Sequence, residues 1–475
     1  MMKRRALSVF GLSSLLLLAT GCVRYQPRPL SAPETADKFE ARSLQSPELG
    51  AFVQSTAAAE AWPPASWDLR ALTLAAIYYH PDLDVARAQW GVAQAARRTA
   101  GERPNPAASV LMGYNATTPT SEITPWIPEA ALDIPIETAG KRGYRIAQAR
   151  HLSDAARLNI LSVAWQVRSR VRRSYLELYA AGQTAALLSR QLAIQEASLR
   201  ILEAQLEVGE VSPAEVTLAR ISLDQSRLAA LDAASRSAQA KIQLAAAIGI
   251  PAGALDGVGF FFDELAAVRT EIPSREVQRR ALLHRADILA ALSEYAASDS
   301  ALRIEIAKQY PDINLLPDYQ LDQTDSKWTL GLSLILPLLN RNRGPIAEAE
   351  ARREETAATF LSLQTAVIAE INGAVAAARS AAEKARTAEE MLAGLRRQEA
   401  AAKARYEAGE ISRLELLGIQ MEIAAGDLAR LDALVMAQQA MGDLEDAMQS
   451  PLDIEAWAFK PAGGAAEQTK EKKDE

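Results

Sequence analysis

The sequence predicts a mainly α-helical protein of two internal repeats, built from long antiparallel coiled-coil hairpins, with four β-strands per chain that contribute to a small transmembrane β-barrel. Three observations predict it. The 475-residue chain repeats itself at an offset of 200, so that Glu207-Val208-Gly209-Glu210-Val211-Ser212 returns as Glu407-Ala408-Gly409-Glu410-Ile411-Ser412, and a long duplication sets the plan before any single element is assigned. The long middle segment of each repeat has an apolar period of 3.5, the spacing of coiled coils. Upstream of each long segment, two short runs alternate apolar and polar residues as strands do.

In chain order, residues 1–22 read as an export signal: Lys3-Arg4-Arg5, an apolar run from Ala6 to Ala19, then Thr20-Gly21-Cys22. Small residues leading into a cysteine resemble a bacterial lipoprotein box, which implies lipidation of Cys22, although Ala19 stands where leucine is more usual. Cys22 is the only cysteine in the chain, which excludes intrachain disulfides and a multi-cysteine metal site. Val23 follows it, so the rule by which aspartate retains a lipoprotein at the inner membrane does not apply. Residues 23–67, punctuated by Pro27, Pro29, Pro33, Pro47, Pro63 and Pro64, read as an extended tether. The first repeat is expected at 68–250, a linker carrying Phe260-Phe261-Phe262 at 251–272 and the second repeat at 273–450. Residues 451–475 form a C-terminal segment with a small, charged and disordered end.

Long helices are expected at about 146–206 and 346–407. In the second, Val367, Ile371, Ala374, Ala378, Ala381, Ala385, Ala388, Leu392 and Leu395 alternate steps of four and three. The first gives Val171, Ser174, Leu178, Ala181, Ala185, Leu188, Leu192 and Gln195, the same register moved by 200. Both helices end alike. Gly209 and Gly409 stand where a left-handed terminus is wanted, and Ser212 and Ser412 open the returning helices, with Glu215 and Glu415 completing a capping-box pattern.

Strands are read at Ala108–Tyr114 and Ala130–Ile136 in one half, and at Ile313–Tyr319 and Trp328–Leu336 in the other, with Tyr114/Tyr319 and Trp126/Trp328 at corresponding heights. Alternating strands with aromatics near one end are the signal of an outer-membrane barrel. Four strands leave open edges, which lipid forbids. The barrel is therefore shared between chains, eight-stranded and filled for two copies, twelve-stranded with a lumen for three.

Other classes are disfavoured. A net charge of −7 argues against nucleic acid. His80, His151 and His284 lie far apart and read as surface or packing residues, and no nucleophile–base pair, phosphate loop or metal cluster stands out, so no catalytic, cofactor or metal residue is assigned and no enzyme is expected. No apolar run beyond the signal approaches the roughly 20 residues of a spanning helix.

Together these residues resemble the TolC-like outer-membrane efflux factor family over nearly the whole mature chain. The family's tip signature is matched twice, by Leu206, Gly209, Ser212 and Glu215 and by Tyr406, Gly409, Ser412 and Glu415. The resemblance implies a homotrimer with a twelve-stranded barrel and a periplasmic helical tunnel, an exit duct for substrate delivered by an inner-membrane pump and a periplasmic adaptor. It implies adaptor docking at the tips, Gly209, Glu210, Ser212, Gly409, Glu410 and Ser412, and a periplasmic gate drawn from Glu215, Tyr406, Arg413 and Glu415. The gate departs from the family pattern: Gly418 replaces an expected acid, and Ile411 an expected arginine, with Arg413 the nearest substitute. Capping alone also accounts for Glu215 and Glu415, and one carboxylate can do both. The segments Pro135–Arg142 and Pro337–Asn342 resemble members serving heavy-metal cation efflux. The competing reading is a periplasmic coiled-coil lipoprotein scaffold without a pore.

Overall fold

The computed structural model describes residues 24–56, 62–117, 123–267, 275–323 and 325–450. The export signal with Cys22 and the segment 451–475 lie outside the described residues. The chain divides into two units, 1–43 and 44–475. The first holds helix α1 (Ala32–Glu40), with a proline in its opening turn and a Glu34–Lys38 ion pair at 2.6 Å. The second holds both repeats.

The stretch expected as an extended tether holds two short helices. Besides α1, Pro47–Thr56 forms α2, whose Leu49 and Val53 join Leu44 in the main hydrophobic core. Proline is the physical reason for the difference: at the first turn of a helix its missing N–H costs nothing. Ser46 caps α2 by accepting from the Leu49 N–H at 3.1 Å.

The two repeats then follow one order. The first is α3 (Leu69–Tyr79), α4 (Pro81–Gly101), β1 (Ala107–Tyr114), β2 (Trp126–Ile136), α5 (Lys141–Glu207) and α6 (Pro213–Ile248). The second is α7 (Arg275–His284), α8 (Ala286–Ala307), β3 (Ile313–Asp322), β4 (Asp325–Leu334), α9 (Arg343–Glu407) and α10 (Arg413–Met448). Helices α5 and α9 run 67 and 65 residues, about 100 Å each. The stripe of period 3.5 is the one that packs: Val367, Ile371, Ala378, Ala381 and Ala385 of α9 are buried with Ala437, Ala440, Met441 and Leu444 of α10. Asp68 caps α3, and buried His80 caps α4 by accepting from the Asp82 N–H at 3.2 Å, a packing role.

The described part of the linker, 251–267, packs on the first repeat. Phe260 pairs with Trp67 in a parallel bridge, and Phe262 lies 5.0 and 5.4 Å from the rings of Tyr175 and Tyr179 on α5. The Tyr175 hydroxyl donates to the Phe261 carbonyl, and burial pushes its pKa up. By length and composition α9 also contains one stretch apolar enough to span a membrane, contrary to the sequence expectation. Beside the buried Val367 and Ile371, this helix also carries Leu361 and Ile368 exposed, so its apolar residues are not confined to the packed stripe.

All four strands form one antiparallel sheet in the order β1-β2-β3-β4. The repeats meet at the β2–β3 pairing, and β1 and β4 are left as open edges.

Candidate channel wall and helical tips

Register decides what each face of the sheet presents. Tyr114 pairs with Trp126 and Val110 with Ala130; Ala130 pairs with Tyr319 and Ile134 with Leu315; Tyr319 pairs with Trp328 and Leu315 with Leu332. Because side chains alternate with a period of two, these all share one apolar face, and Val110, Met112, Trp328, Leu330 and Leu332 stand exposed on it. The aromatic rings meet at one end, Tyr114 and Trp126 at 5.0 Å and Tyr319 and Trp328 at 4.6 Å. The other face carries Glu129, Asp133, Asp318, Asp322 and Asp325, with Lys327 as the single basic strand residue and already paired to Asp322. Asn314 donates to Asp133 at 3.2 Å and Gln320 to Glu129 at 3.4 Å. One face thus suits hydrocarbon and the other water.

Where strands become helices, the segment Pro135–Arg142 makes a clamp that sequence reasoning noticed but did not explain. Ala139 and Gly140 turn with φ of +54° and +73°. Thr138 then donates its N–H to Asp312 at 2.9 Å and its hydroxyl to the Pro311 carbonyl at 2.6 Å. Buried Lys141 reaches the Tyr310 carbonyl at 2.7 Å and Asp312 at 2.8 Å. Burial pushes the Asp312 carboxyl up, but the hydrogen bonds from Lys141 and Thr138, with the charges of Lys141 and Arg145, outweigh it and hold the group below the usual carboxylate range. In the second repeat Arg341 and Asn342 take the left-handed turn, and Asn342 donates to the Glu305 carbonyl at 2.7 Å.

A second polar feature was missed. Arg168 and Arg172, buried on α5, face α10: Arg168 contacts Glu445 at 2.6 Å, and Arg172 lies 3.4 Å from Asp446 and 3.5 Å from Asp443. The Arg172 guanidinium crosses α10 at Gly442, where a Cβ would overlap it. The available signal was charge beside the stripe position Val171.

The tips form as the residues dictate. Gly209 and Gly409 have φ of +78° and +76°, with open space around each Cα. The N–H of Glu210 bonds the Gln205 carbonyl at 2.8 Å, and that of Glu410 bonds the Arg405 carbonyl at 2.9 Å, closing both helices by the same C-cap motif. Ser212 accepts from the Glu215 N–H at 3.3 Å and Ser412 from the Glu415 N–H at 3.1 Å. The capping box is therefore half made: among the described residues neither glutamate returns a hydrogen bond to its serine. Of the gate candidates, the structure brings Arg413 over the Tyr406 ring at 5.6 Å. Glu215 and Glu415 stay on separate hairpins.

The family model of outer membrane efflux proteins matches residues 75–250 and 277–448, nearly the whole of both repeats. The chain belongs to the outer membrane efflux protein family. The cobalt-zinc-cadmium resistance protein CzcC of Cupriavidus metallidurans is 24% identical over 320 residues, 66% of this chain and 74% of CzcC. Outer membrane protein OprJ of Pseudomonas aeruginosa is 23% identical over 388 residues, 76% of this chain and 78% of OprJ. The crystal structure of CusC superposes with a TM-score of 0.67, covering 83% of this chain and 95% of CusC at 19% identity, which shows the same fold. This efflux protein is thus a TolC-like outer-membrane channel of a tripartite system, and the scaffold without a pore is set aside. Family members are channels rather than enzymes, form trimers, and act with an adaptor and an inner-membrane pump.

Proposed function

We propose that this efflux protein is the outer-membrane exit duct for heavy-metal cations, closed as a trimeric twelve-stranded barrel, held by a lipid on Cys22 and met by a periplasmic adaptor at its helical tips. The observation that carries the cargo is the polar sheet face, with Glu129, Asp133, Asp318, Asp322 and Asp325 against one lysine that is already paired. Three copies would line a lumen with that set three times over, and a narrow passage walled by one sign of charge concentrates the opposite sign. The likeness to CzcC supports the same reading. Transport is passive, so the pump supplies the energy and the duct supplies selectivity by charge.

At the far end, Glu207, Glu210, Glu407 and Glu410 flank the two tip glycines. Over a distance near the ~8 Å Debye length their fields add, which favours a basic adaptor surface. Gate closure falls to Glu215, Glu415 and the Tyr406–Arg413 contact, with the glutamates serving as N-terminal helix residues at the same time.

The test is conductance of the purified trimer in planar bilayers. A cation-selective channel whose selectivity falls on Asp133→Asn and Asp318→Asn supports the reading; an anion-selective native channel, or a monomer without conductance, overturns it. Acylation is read separately by mass spectrometry of the Cys22 peptide, and an unmodified peptide refutes the anchor.

A further inference from the structure

The strand-to-helix junctions of the two repeats differ in what they leave exposed. After β2 the chain enters the Thr138–Lys141–Asp312 clamp, and its arginines are engaged: Arg142 donates to the Gly101 carbonyl at 2.7 Å and Arg145 pairs with Glu137. After β4 the apolar alternation of Trp328, Leu330, Leu332 and Leu334 runs on to Leu336. A tight turn follows, closed by the Leu338 N–H on the Leu336 carbonyl at 2.8 Å. Leu336 and Leu338 are 56% and 71% exposed, and Leu339 is fully exposed. Ser333, Leu334, Ile335 and Pro337 line a cleft of about 1340 Å³ bordered by α5, α8 and α9, whereas Leu336, Leu338 and Leu339 do not. Leu336 keeps the even-numbered side of that alternation, and Leu338 and Leu339 stand exposed on the turn directly beyond it. Beside them stand Arg341 and Arg343, exposed, with no side-chain partner among the described residues, in a chain of net charge −7.

We propose that Leu336, Leu338 and Leu339 with Arg341 and Arg343 form a lipid-binding foot that seats the second repeat in the periplasmic leaflet of the outer membrane, the leucines among the acyl chains and the arginines on anionic phospholipid headgroups. This rests on the channel reading, which puts the sheet in the membrane and the helices in the periplasm, so that the β4–α9 turn lies at the periplasmic surface. Two features select lipid rather than a second copy of the chain. Leu336 continues a face already turned to hydrocarbon, with Leu338 and Leu339 directly beyond it, and unpaired arginines next to an apolar knob match the phosphate layer just outside it, as interfacial anchors do. The first repeat has no such foot because its turn is spent on joining the two halves.

The test uses the assembled channel in phosphatidylethanolamine–phosphatidylglycerol vesicles, with an environment-sensitive fluorophore on Leu339→Cys and, in parallel, on Leu332→Cys and Ser333→Cys; labelling of the chain without a new cysteine sets the background. Quenching at 339 by lipids spin-labelled near the headgroup, and at 332 by lipids labelled deeper in the chain, is expected, with none at 333. In the Arg341→Gln/Arg343→Gln background, preference of the 339 site for spin-labelled phosphatidylglycerol over phosphatidylcholine should fall on the order of tenfold. Quenching at 332 without quenching at 339 overturns the foot and leaves the channel standing; a blue-shifted, unquenched 339 assigns the knob to a neighbouring copy instead. Absence of quenching at 332 overturns the barrel reading itself.

Discussion

The two repeats share a plan but not a core. Helix α5 buries Val167, Val171, Tyr175, Leu176 and Tyr179 against the N-terminal segment and the linker, while at the same heights α9 buries Val367, Ile371, Ala378 and Ala381. Tyr175 and Tyr179 answer to Val375 and Arg379, and Arg168 and Arg172 to Ile368 and Asn372. The tips, by contrast, agree to within 2° in the φ of their glycines, +78° against +76°. After duplication, then, the turn geometry stayed fixed while the middle of one helix became the place where everything else attaches.

The largest expected effect is therefore on α5 alone. Tyr175→Ala removes a fully buried ring and leaves the Phe261 carbonyl without its donor, a cost of about 3–5 kcal/mol, whereas Val375→Ala at the matching height costs about 1–2 kcal/mol. Thermal loss of helical circular dichroism measures both, and equal shifts would erase the contrast between the repeats. Next comes the charged seam. Arg168→Ile borrows the residue of the other repeat but removes the guanidinium that contacts Glu445, whose side chain is 12% exposed, at a cost of about 3 kcal/mol. Adding Glu445→Ala, again the residue found 200 positions earlier, should restore most of the lost midpoint; if the double variant is no better than the single, the pair is not what holds α5 to α10.

Much of this was legible in the sequence. Strand alternation, the 3.5 stripe and the glycine–serine tips obey local rules, and each stands in one repeat and recurs in the other. The N-terminal helices were hidden because Pro47 breaks a helix anywhere but at its start, and the buried Arg168 and Arg172 because their partners lie more than 250 residues away, at Asp443, Glu445 and Asp446. Of the gate candidates, Tyr406 and Arg413 were legible as neighbours through the tightness of the turn between them. Whether Glu215 and Glu415 approach one another depends on copies of the chain, which no local pattern encodes.

At the tips the two repeats should respond equally. Gly209→Ala and Gly409→Ala each force a β-carbon into a left-handed turn and should cost about 1–2 kcal/mol, by the same amount in both repeats. Gly209→Trp with Gly409→Trp, facing open space, should leave trimer and outer-membrane level normal yet abolish efflux complementation; wild-type efflux would show that the adaptor docks elsewhere. The smallest effect is one of pH. The folded Asp312 carboxyl is held below its unfolded value of about 3.9, so its clamp is at full strength above that value and weakens as pH falls through the folded pKa. Asp312→Asn should flatten the acid limb of the stability profile below about pH 4, and an unchanged limb would show that the clamp does not titrate there.

The open edges of the sheet have a consequence in time. Along the outer edges of β1 and β4 every second backbone N–H and carbonyl has no neighbouring strand among the described residues, and in hydrocarbon such orphans would cost on the order of tens of kcal/mol together. A lone copy has no stable place in a bilayer. Insertion must wait for encounter, so the rate at which channels appear should rise more steeply than in proportion to the amount of chain in the periplasm, and a cell that makes half the protein would build far fewer than half the ducts in a given interval.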